Sequence, residues 1–271
     1  MSETDISAQV TAAVKRLRDA VTQRQLLSAR VEAAKASISK AEAYRQIMNL
    51  MSAHVHCCLN QDYAMELERY WSRRDDIVYA NGDLAYVGRE AVWKYYAGSA
   101  GNRTIAAYQA LGKEPPAGGE GKTPGYKNMN LIGTPYVEIA EDGKTAQGIW
   151  MAHSFQGCLD ETGALVTQGV LSRYSGEFIF EDGAWKIWRR RNYADVVFEE
   201  EPAGMMGPPP TADGKPPKPM VVNPLPTTLT RIRAESADYT PDSLPAGGPA
   251  LPQPYETWSY ETSNVQKEGA F

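Results

Sequence analysis

Between Leu131 and Val197, four long runs of β-forming residues alternate with three short turn signals, and this stretch narrows the possible folds more than any other. The runs are Leu131 to Ile139, Thr145 to Phe155, Leu165 to Phe180 and Trp185 to Val197. They are joined by Glu141-Asp142-Gly143-Lys144, Asp160-Glu161-Thr162-Gly163 and Glu181-Asp182-Gly183-Ala184, whose Asp and Gly residues suit hairpin turns. Links this short cannot hold a crossover, so the runs predict a four-stranded antiparallel meander. A sheet of this kind must bury one face, and the cover has to come from elsewhere in the chain.

Upstream segments supply it. Residues 41–60 are apolar at Ile47, Leu50, Met51, Val55, Cys58 and Leu59 and predict a first helix. Tyr63 to Arg74, apolar at Met65, Leu67, Tyr70 and Trp71, predicts a second, with Asp62 at the break as its cap. Ile77 to Gly88 reads as two short strands about Asn81-Gly82-Asp83. Gly88-Arg89-Glu90 then opens a third helix holding Val92, Trp93, Tyr95 and Tyr96, and a Gly- and Pro-rich insertion covers residues 98–127.

The flanks differ from this centre. Residues 5–38 hold no Gly or Pro and place Ile6, Val10, Val14, Leu17, Val21, Leu27, Val31 and Ile38 as one apolar stripe on a long helix. From Glu200 to Phe271 prolines cluster at 208–210 and 216–219 with no sustained apolar period, so this part cannot build its own core. It still carries Met205, Met206, Tyr239, Tyr255, Trp258 and Tyr260, which predicts an extended arm wrapped over its own or a neighbouring subunit. The expected organisation is an N-terminal amphipathic helix over 1–39, one domain over 40–198 and a Pro-rich arm over 199–271. Helix and arm together predict a homodimer or homotrimer.

A net charge of -5 argues against a nucleic-acid surface, since phosphate binding needs concentrated Lys and Arg. The run Arg189-Arg190-Arg191 is the local exception, but on a strand its members alternate faces. Cys57, Cys58 and Cys158 are too few for a disulfide framework and read as buried thiols. With no apolar run of 18 residues and no charged-then-apolar start, neither a membrane span nor a signal peptide is expected, and the expected compartment is the cytoplasm.

The order of elements, with "YVGREAVWKYY" at the third helix and "EDGAWKIWRRR" at the last turn, resembles the SnoaL-like branch of the nuclear-transport-factor-2-like (NTF2-like) superfamily over about 160 residues. The resemblance implies an α+β cone in which three helices pack on a strongly curved antiparallel sheet, with a small-molecule pocket at its closed end. It says little about the reaction, because isomerases, dehydratases, cyclases, lyases and non-catalytic binders share this fold.

Within that frame, strand parity assigns faces. If Asp182-Gly183 is a two-residue turn, Phe180 pairs with Trp185 and Tyr174 lies opposite Arg191. If residues 160–163 form a four-residue loop, Leu159 pairs with Ala164 and His153 lies opposite Val170. His153, Val170, Ser172, Tyr174, Ile187, Arg189 and Arg191 then share one face, and the apolar Ile149, Met151, Val170, Trp185 and Ile187 mark it as inward. One bulge would invert part of this and bring Arg173, Trp188 and Arg190 inside instead.

His54 stands eight residues before Asp62, where steroid-isomerase-like members carry a pocket tyrosine, so the resemblance points its imidazole into the pocket. Tyr96 matches a pocket-facing aromatic position of the same members. Leu59 stands where many SnoaL-like members carry an acidic residue, and Tyr79, Ala80 or Asn81 where the steroid isomerases carry their general-base aspartate, which disfavours an aspartate proton shuttle. Histidine suits acid–base work near neutrality. His56, two residues from His54, faces elsewhere. The candidate catalytic residues are therefore His153, His54, Arg191 and Tyr174, with Tyr79, Tyr96, Trp93, Arg189 and Tyr193 as substrate-binding residues. No metal is expected, for want of local ligand spacing, and no cofactor, for want of a phosphate-binding loop.

The reading is a cofactor-independent lyase or dehydratase that performs acid–base elimination on a hydroxylated aromatic small molecule. In architecture and pocket character the chain resembles the bacterial γ-formaldehyde lyases, which take formaldehyde from lignin-derived diaryl propanes. The alternatives are an isomerase or polyketide-type cyclase with the same pocket, and a non-catalytic ligand-binding or assembly protein in which the histidines only pack.

Overall fold

The computed structural model describes residues 3–81, 84–98, 108–109, 112, 114, 122, 126–159, 165–199, 230–231 and 249–265. Most of the insertion over 98–127, the turn residues 82–83 and 160–164, and most of the arm beyond 199 lie outside these. The chain divides into two compact units, Met1–Arg45 and Gln46–Phe271.

In the first unit the described residues are helical throughout and their described side chains are almost all exposed, including the apolar stripe from Ile6 to Ile38. This helix, α1 (Glu3–Asn60), does not break near residue 40 as the sequence reading expected. Nothing at 37–41 forces a break: the segment Ser37-Ile38-Ser39-Lys40-Ala41 has neither Gly nor Pro.

The second unit begins with the last turns of α1, which bury Ile47, Leu50, Met51, His54, Cys57 and Cys58 at helical spacing. α2 (Tyr63–Arg69) is shorter than predicted because the sheet captures the chain after it. Ile187 N donates to Tyr70 O and Ser72 N to Ile187 O, both at 2.8 Å, and Trp71 bridges to Ile187. Asp62 precedes α2 but makes no side-chain cap; its carboxylate instead takes a 2.6 Å bond from Lys122 Nζ.

β1 (Val78–Asn81) and β2 (Leu84–Val87) pair antiparallel, and α3 (Arg89–Gly98) follows. β3 (Lys127–Ile139), β4 (Thr145–Leu159), β5 (Leu165–Glu181) and β6 (Ala184–Glu199) form the expected meander. β1 adds to β6 in parallel, and β7 (Thr230–Arg231) closes the far edge on β2. The result is one seven-stranded sheet in the order β3-β4-β5-β6-β1-β2-β7.

Two registers differ from the parity reading, and they decide the site. Leu159 pairs with Leu165 rather than Ala164, so the β4–β5 loop has five residues and His153 faces Leu171. On β6, Phe180 pairs with Trp185 as expected, but the register shifts between Glu177 and Phe178. Ile187 pairs with Phe178 and Arg189 with Glu177, leaving Trp188 as the extra residue of a bulge. Beyond it Arg190 pairs with Gly176, Arg191 with Ser175 and Asn192 with Tyr174. Arg190 therefore shares a face with Trp150, Ser154 and Tyr174, while Arg189 and Arg191 share the opposite face with His153, Ser175 and Glu177. The apolar cue failed because Met151, on the second face, is 61% exposed.

The first of these faces, here the inner face, looks toward α1, α2 and α3. Its floor is Trp150, whose ring lies over Gly148 where any β-carbon would collide with it. The outer face is partly covered by residues 249–265. Tyr255 O and Glu256 O accept from Glu141 N and Asp142 N, Gln147 Nε2 donates to Thr262 O at 2.6 Å, and Ser175 Oγ donates to Asn264 O at 2.9 Å. Among the described residues no helix is long and apolar enough to cross a membrane.

Candidate active site

On α1, His54 and Cys58 are one helical turn apart and both are buried. Across from them, α2 turns Tyr63, Glu66 and Leu67 inward. The two helices meet in a hydrogen bond of 2.5 Å between His54 Nδ1 and Glu66 Oε1, with both side chains fully buried. The same oxygen accepts from Trp71 Nε1 at 3.0 Å and from the Tyr96 hydroxyl at 3.4 Å. With Nδ1–H donated to Glu66, the lone pair of the ring sits on Nε2, whose nearest partner is Cys58 Sγ at 3.7 Å.

Burial holds the His54 pKa below its ordinary value, and the positive charge of Arg190 acts in the same direction, against the pull of Glu66. The imidazole is thus neutral at neutral pH, in the form that can take a proton. Burial, aided by Glu66, pushes the Cys58 thiol well up, so it stays protonated and is no nucleophile.

Arg190 approaches from β6. Its guanidinium lies 4.3 Å from the Tyr174 ring centre and 5.4 Å from that of Tyr79, and the residue is 2% exposed. Among the described residues it forms no ion pair with a carboxylate, and its Nε makes no hydrogen bond. Burial opposes the charge, but the Tyr79 and Tyr174 hydroxyls outweigh it and raise the Arg190 pKa, so the cation persists.

Around it the polar groups form two chains. The Tyr174 hydroxyl donates to Asn130 Oδ1 at 3.0 Å, which also accepts from Ser154 Oγ at 2.5 Å. Asn192 Nδ2 donates to the Tyr79 hydroxyl at 2.9 Å, and that hydroxyl donates to Tyr95 at 3.1 Å. Tyr63 stacks on Tyr96 with ring centres 4.9 Å apart, and Tyr79 lies 4.3 Å from Tyr95. Burial raises the Tyr79 and Tyr96 pKa values well above the ordinary phenol range, so both remain hydrogen-bond donors. The assembly offers a neutral base, a fixed cation and phenolic donors on aromatic walls.

Of the residues singled out from sequence, His54, Tyr174, Tyr79 and Tyr96 lie in this assembly. His153 does not: it is exposed on the outer face between Leu131 and Leu171. Arg189, Arg191 and Tyr193 are buried on the outer face too, where Arg189 meets Trp258 and Tyr193 reaches Asn264 O. Trp93 is half-buried on α3, and His56 is exposed. The parity reading put Arg191 where Arg190 stands because a bulge leaves no mark in the sequence.

Glu66 was missed altogether. Its signal was available, since it stands between Tyr63 and Leu67 on the apolar side of α2, where an unpaired carboxylate would be costly. Cys58 was likewise legible as the residue one turn beyond His54.

Cys58, His54 and Glu66 also place three metal-ligating atoms within 4.8 Å of one another. An ion there would have to displace the His54–Glu66 hydrogen bond and would face the Arg190 charge that already depresses His54. The donor set suits zinc by type, but the arrangement is that of a hydrogen-bonded pair.

A family model described as a SnoaL-like domain matches residues 39–191. Among solved structures, the chain is similar to a type-3 hexachlorocyclohexane dehydrochlorinase from Novosphingobium barchaimii, at 14% identity over 64% of this chain and 99% of that one, with a TM-score of 0.45. It is also similar to a nuclear-transport-factor-2-like protein with a cystatin-like fold from Novosphingobium aromaticivorans, at 21% identity over 58% of this chain and 84% of that one, with a TM-score of 0.40. No curated protein sequence matches.

Proposed function

The chain belongs to the SnoaL-like domain family, and from that premise we propose that it is a cofactor-independent lyase or dehydratase acting by acid–base elimination on a hydroxylated aromatic small molecule. The observation that carries this reading is the buried His54–Glu66 pair, which keeps a neutral imidazole with Nε2 as its basic atom within the electrostatic reach of Arg190. His54 Nε2 takes a proton from the substrate; Glu66 orients the ring and stabilises the imidazolium. Arg190, held against Tyr174 and Tyr79, stabilises the negative charge that develops on a phenolate or alkoxide. The stacked tyrosines give aromatic rings a flat surface and supply hydroxyl donors.

A lignin-derived diaryl propane bearing hydroxyls on its first and third propane carbons fits this chemistry. Loss of the proton from the terminal hydroxyl breaks the adjacent C–C bond and releases formaldehyde. The electron pair forms the C=C bond and expels the other hydroxyl, protonated, as water, which leaves a stilbene. Atoms balance without an oxidant or reductant.

A screen of phenolic dimers with mass detection tests the reading. A product lighter by formaldehyde plus water, or by water alone, and absent with His54→Ala, is the expected result. Turnover that survives His54→Ala would assign the chemistry to other residues, and ligand binding without turnover would leave a binding protein.

A further inference from the structure

The apolar stripe of the first unit is more regular than a stripe that docks on a globular surface. Starting at Ile6, steps of four and three residues pick out Val10, Ala13, Leu17, Ala20, Arg24, Leu27, Val31, Ala34 and Ile38, which is a heptad seam in which only Arg24 is not apolar. Every one of these positions is exposed. The seam spans 32 steps along the helix, about 48 Å at 1.5 Å per residue. Val14 and Val21, also exposed, flank it on one side, and a sustained heptad seam of this kind takes another helix as its partner.

The order of residues along the seam says which helix. In an antiparallel pair, first-position residues of one heptad meet fourth-position residues of the other chain. Setting a two-fold axis at the level of Thr22 brings together positions whose numbers add to 44, and every seam residue then has a seam partner. Ile6 meets Ile38, Val10 meets Ala34, Ala13 meets Val31, Leu17 meets Leu27, and Ala20 meets Arg24. Large residues face small ones at three of the five layers, and Leu17 faces Leu27 in between. A parallel, in-register pair would set Arg24 against Arg24, two like charges in one layer, whereas the antiparallel pair gives each Arg24 an alanine to lie across.

We propose that residues 6–38 form an antiparallel coiled coil with the same segment of a second copy of this chain. The ten seam residues and the ten that flank them put about 20 residues of each copy into the contact, the number that a stable interface of standard size uses. Between Ile6 and Lys40 the helix carries seven basic and two acidic side chains, so the two copies repel and salt strengthens their association. An acidic protein or an anionic membrane would be released by salt instead.

Sedimentation velocity of the full chain at micromolar concentration tests this with charge swaps at the Leu17–Leu27 layer. Both residues are more than half exposed, so the second unit should melt as in the wild type in every variant. Leu17→Lys and Leu27→Glu should each halve the mass of the wild-type species, through a rise in dissociation constant of about a hundredfold or more. The double variant, in which the introduced lysine of one copy faces the introduced glutamate of the other, should restore it. A mixture of Leu17→Lys and Leu17→Glu chains, which only a parallel pair could rescue, should stay dissociated. An unchanged mass in both single variants, no recovery in the double variant, rescue in the mixture, or dissociation of the wild type by 0.5 M salt would each overturn the proposal.

Discussion

Arg189 and Arg190 are neighbours in sequence and opposites in circumstance. Arg189, on the outer face, is held by what the chain itself supplies: Trp188 at 4.1 Å, Trp258 at 4.3 Å, Asp76 at 3.3 Å and the buried Glu177 at 3.8 Å. Arg190, on the inner face, meets tyrosine rings and no carboxylate ion-pair partner among the described residues. One cation is neutralised by architecture and the other lies against tyrosine rings. The two faces of the sheet divide in the same way: the outer one is tied down by residues 249–265, and the inner one collects a base, a cation and hydroxyls.

The widest separation between the faces should appear at the histidines. His54→Ala is expected to lower turnover by about 10²-fold or more, because it removes the base, and Glu66→Gln by a similar factor, because it removes the charge that orients the ring and stabilises its imidazolium. His153→Ala and His56→Ala should stay within about twofold. Single-turnover rates on a substrate found in the phenolic-dimer screen would check this, and a larger loss with His153→Ala than with His54→Ala would erase the distinction.

The arginines come next. Arg190→Met should lower kcat/KM by about 10²-fold with little change in melting temperature, and Arg190→Lys should recover only part, since ammonium cannot stack on two rings as guanidinium does. Arg189→Met should do the reverse and cost about 3 kcal/mol in urea unfolding, because it leaves Glu177 buried beside no cation, while turnover holds. Truncation after Gly248 should likewise lower stability before it touches chemistry, since it removes the Tyr255, Thr262 and Asn264 contacts.

Acid sharpens the comparison more gently. The folded-state pKa of His54 lies below its unfolded value of about 6.5. The unfolded chain therefore binds the proton first, so the stability His54 contributes is complete above about pH 6.5 and is lost as pH falls through the depressed folded value. The acid limb of kcat/KM should for the same reason lie below pH 6.5. In His54→Ala both effects should vanish. The smallest expected effect is that of exhaustive chelation, which should leave turnover unchanged; loss restored by zinc would make the His54–Cys58–Glu66 cluster a metal centre.

The helices, the hairpin and the meander were legible in the sequence because each is written in its own period: three to four residues for the buried side of α1, two for the strands, and Asp-Gly pairs at the turns. What was not legible was phase. A five-residue loop where four were expected moved His153 to solvent, and a single extra residue at Trp188 exchanged Arg191 for Arg190. Neither event changes composition or hydrophobic pattern, so parity alone cannot register them. Glu66 illustrates the other kind of miss: an acid in the first turn of a helix looks like a favourable dipole partner, and only its place between Tyr63 and Leu67 marks it as buried.

The bulge at Trp188 makes β6 a strand with a spatial reading frame. One residue more or fewer between Ala184 and Arg189 would turn every later side chain to the opposite face, and at most positions that would exchange a core residue for a surface one. At the site it would not. With three arginines in succession at 189, 190 and 191, a slip in either direction still presents a guanidinium to the inner face and leaves another to pair on the outer one. The triplet works as an error-tolerant code, in which a one-residue insertion or deletion ahead of it still leaves a guanidinium facing the tyrosines.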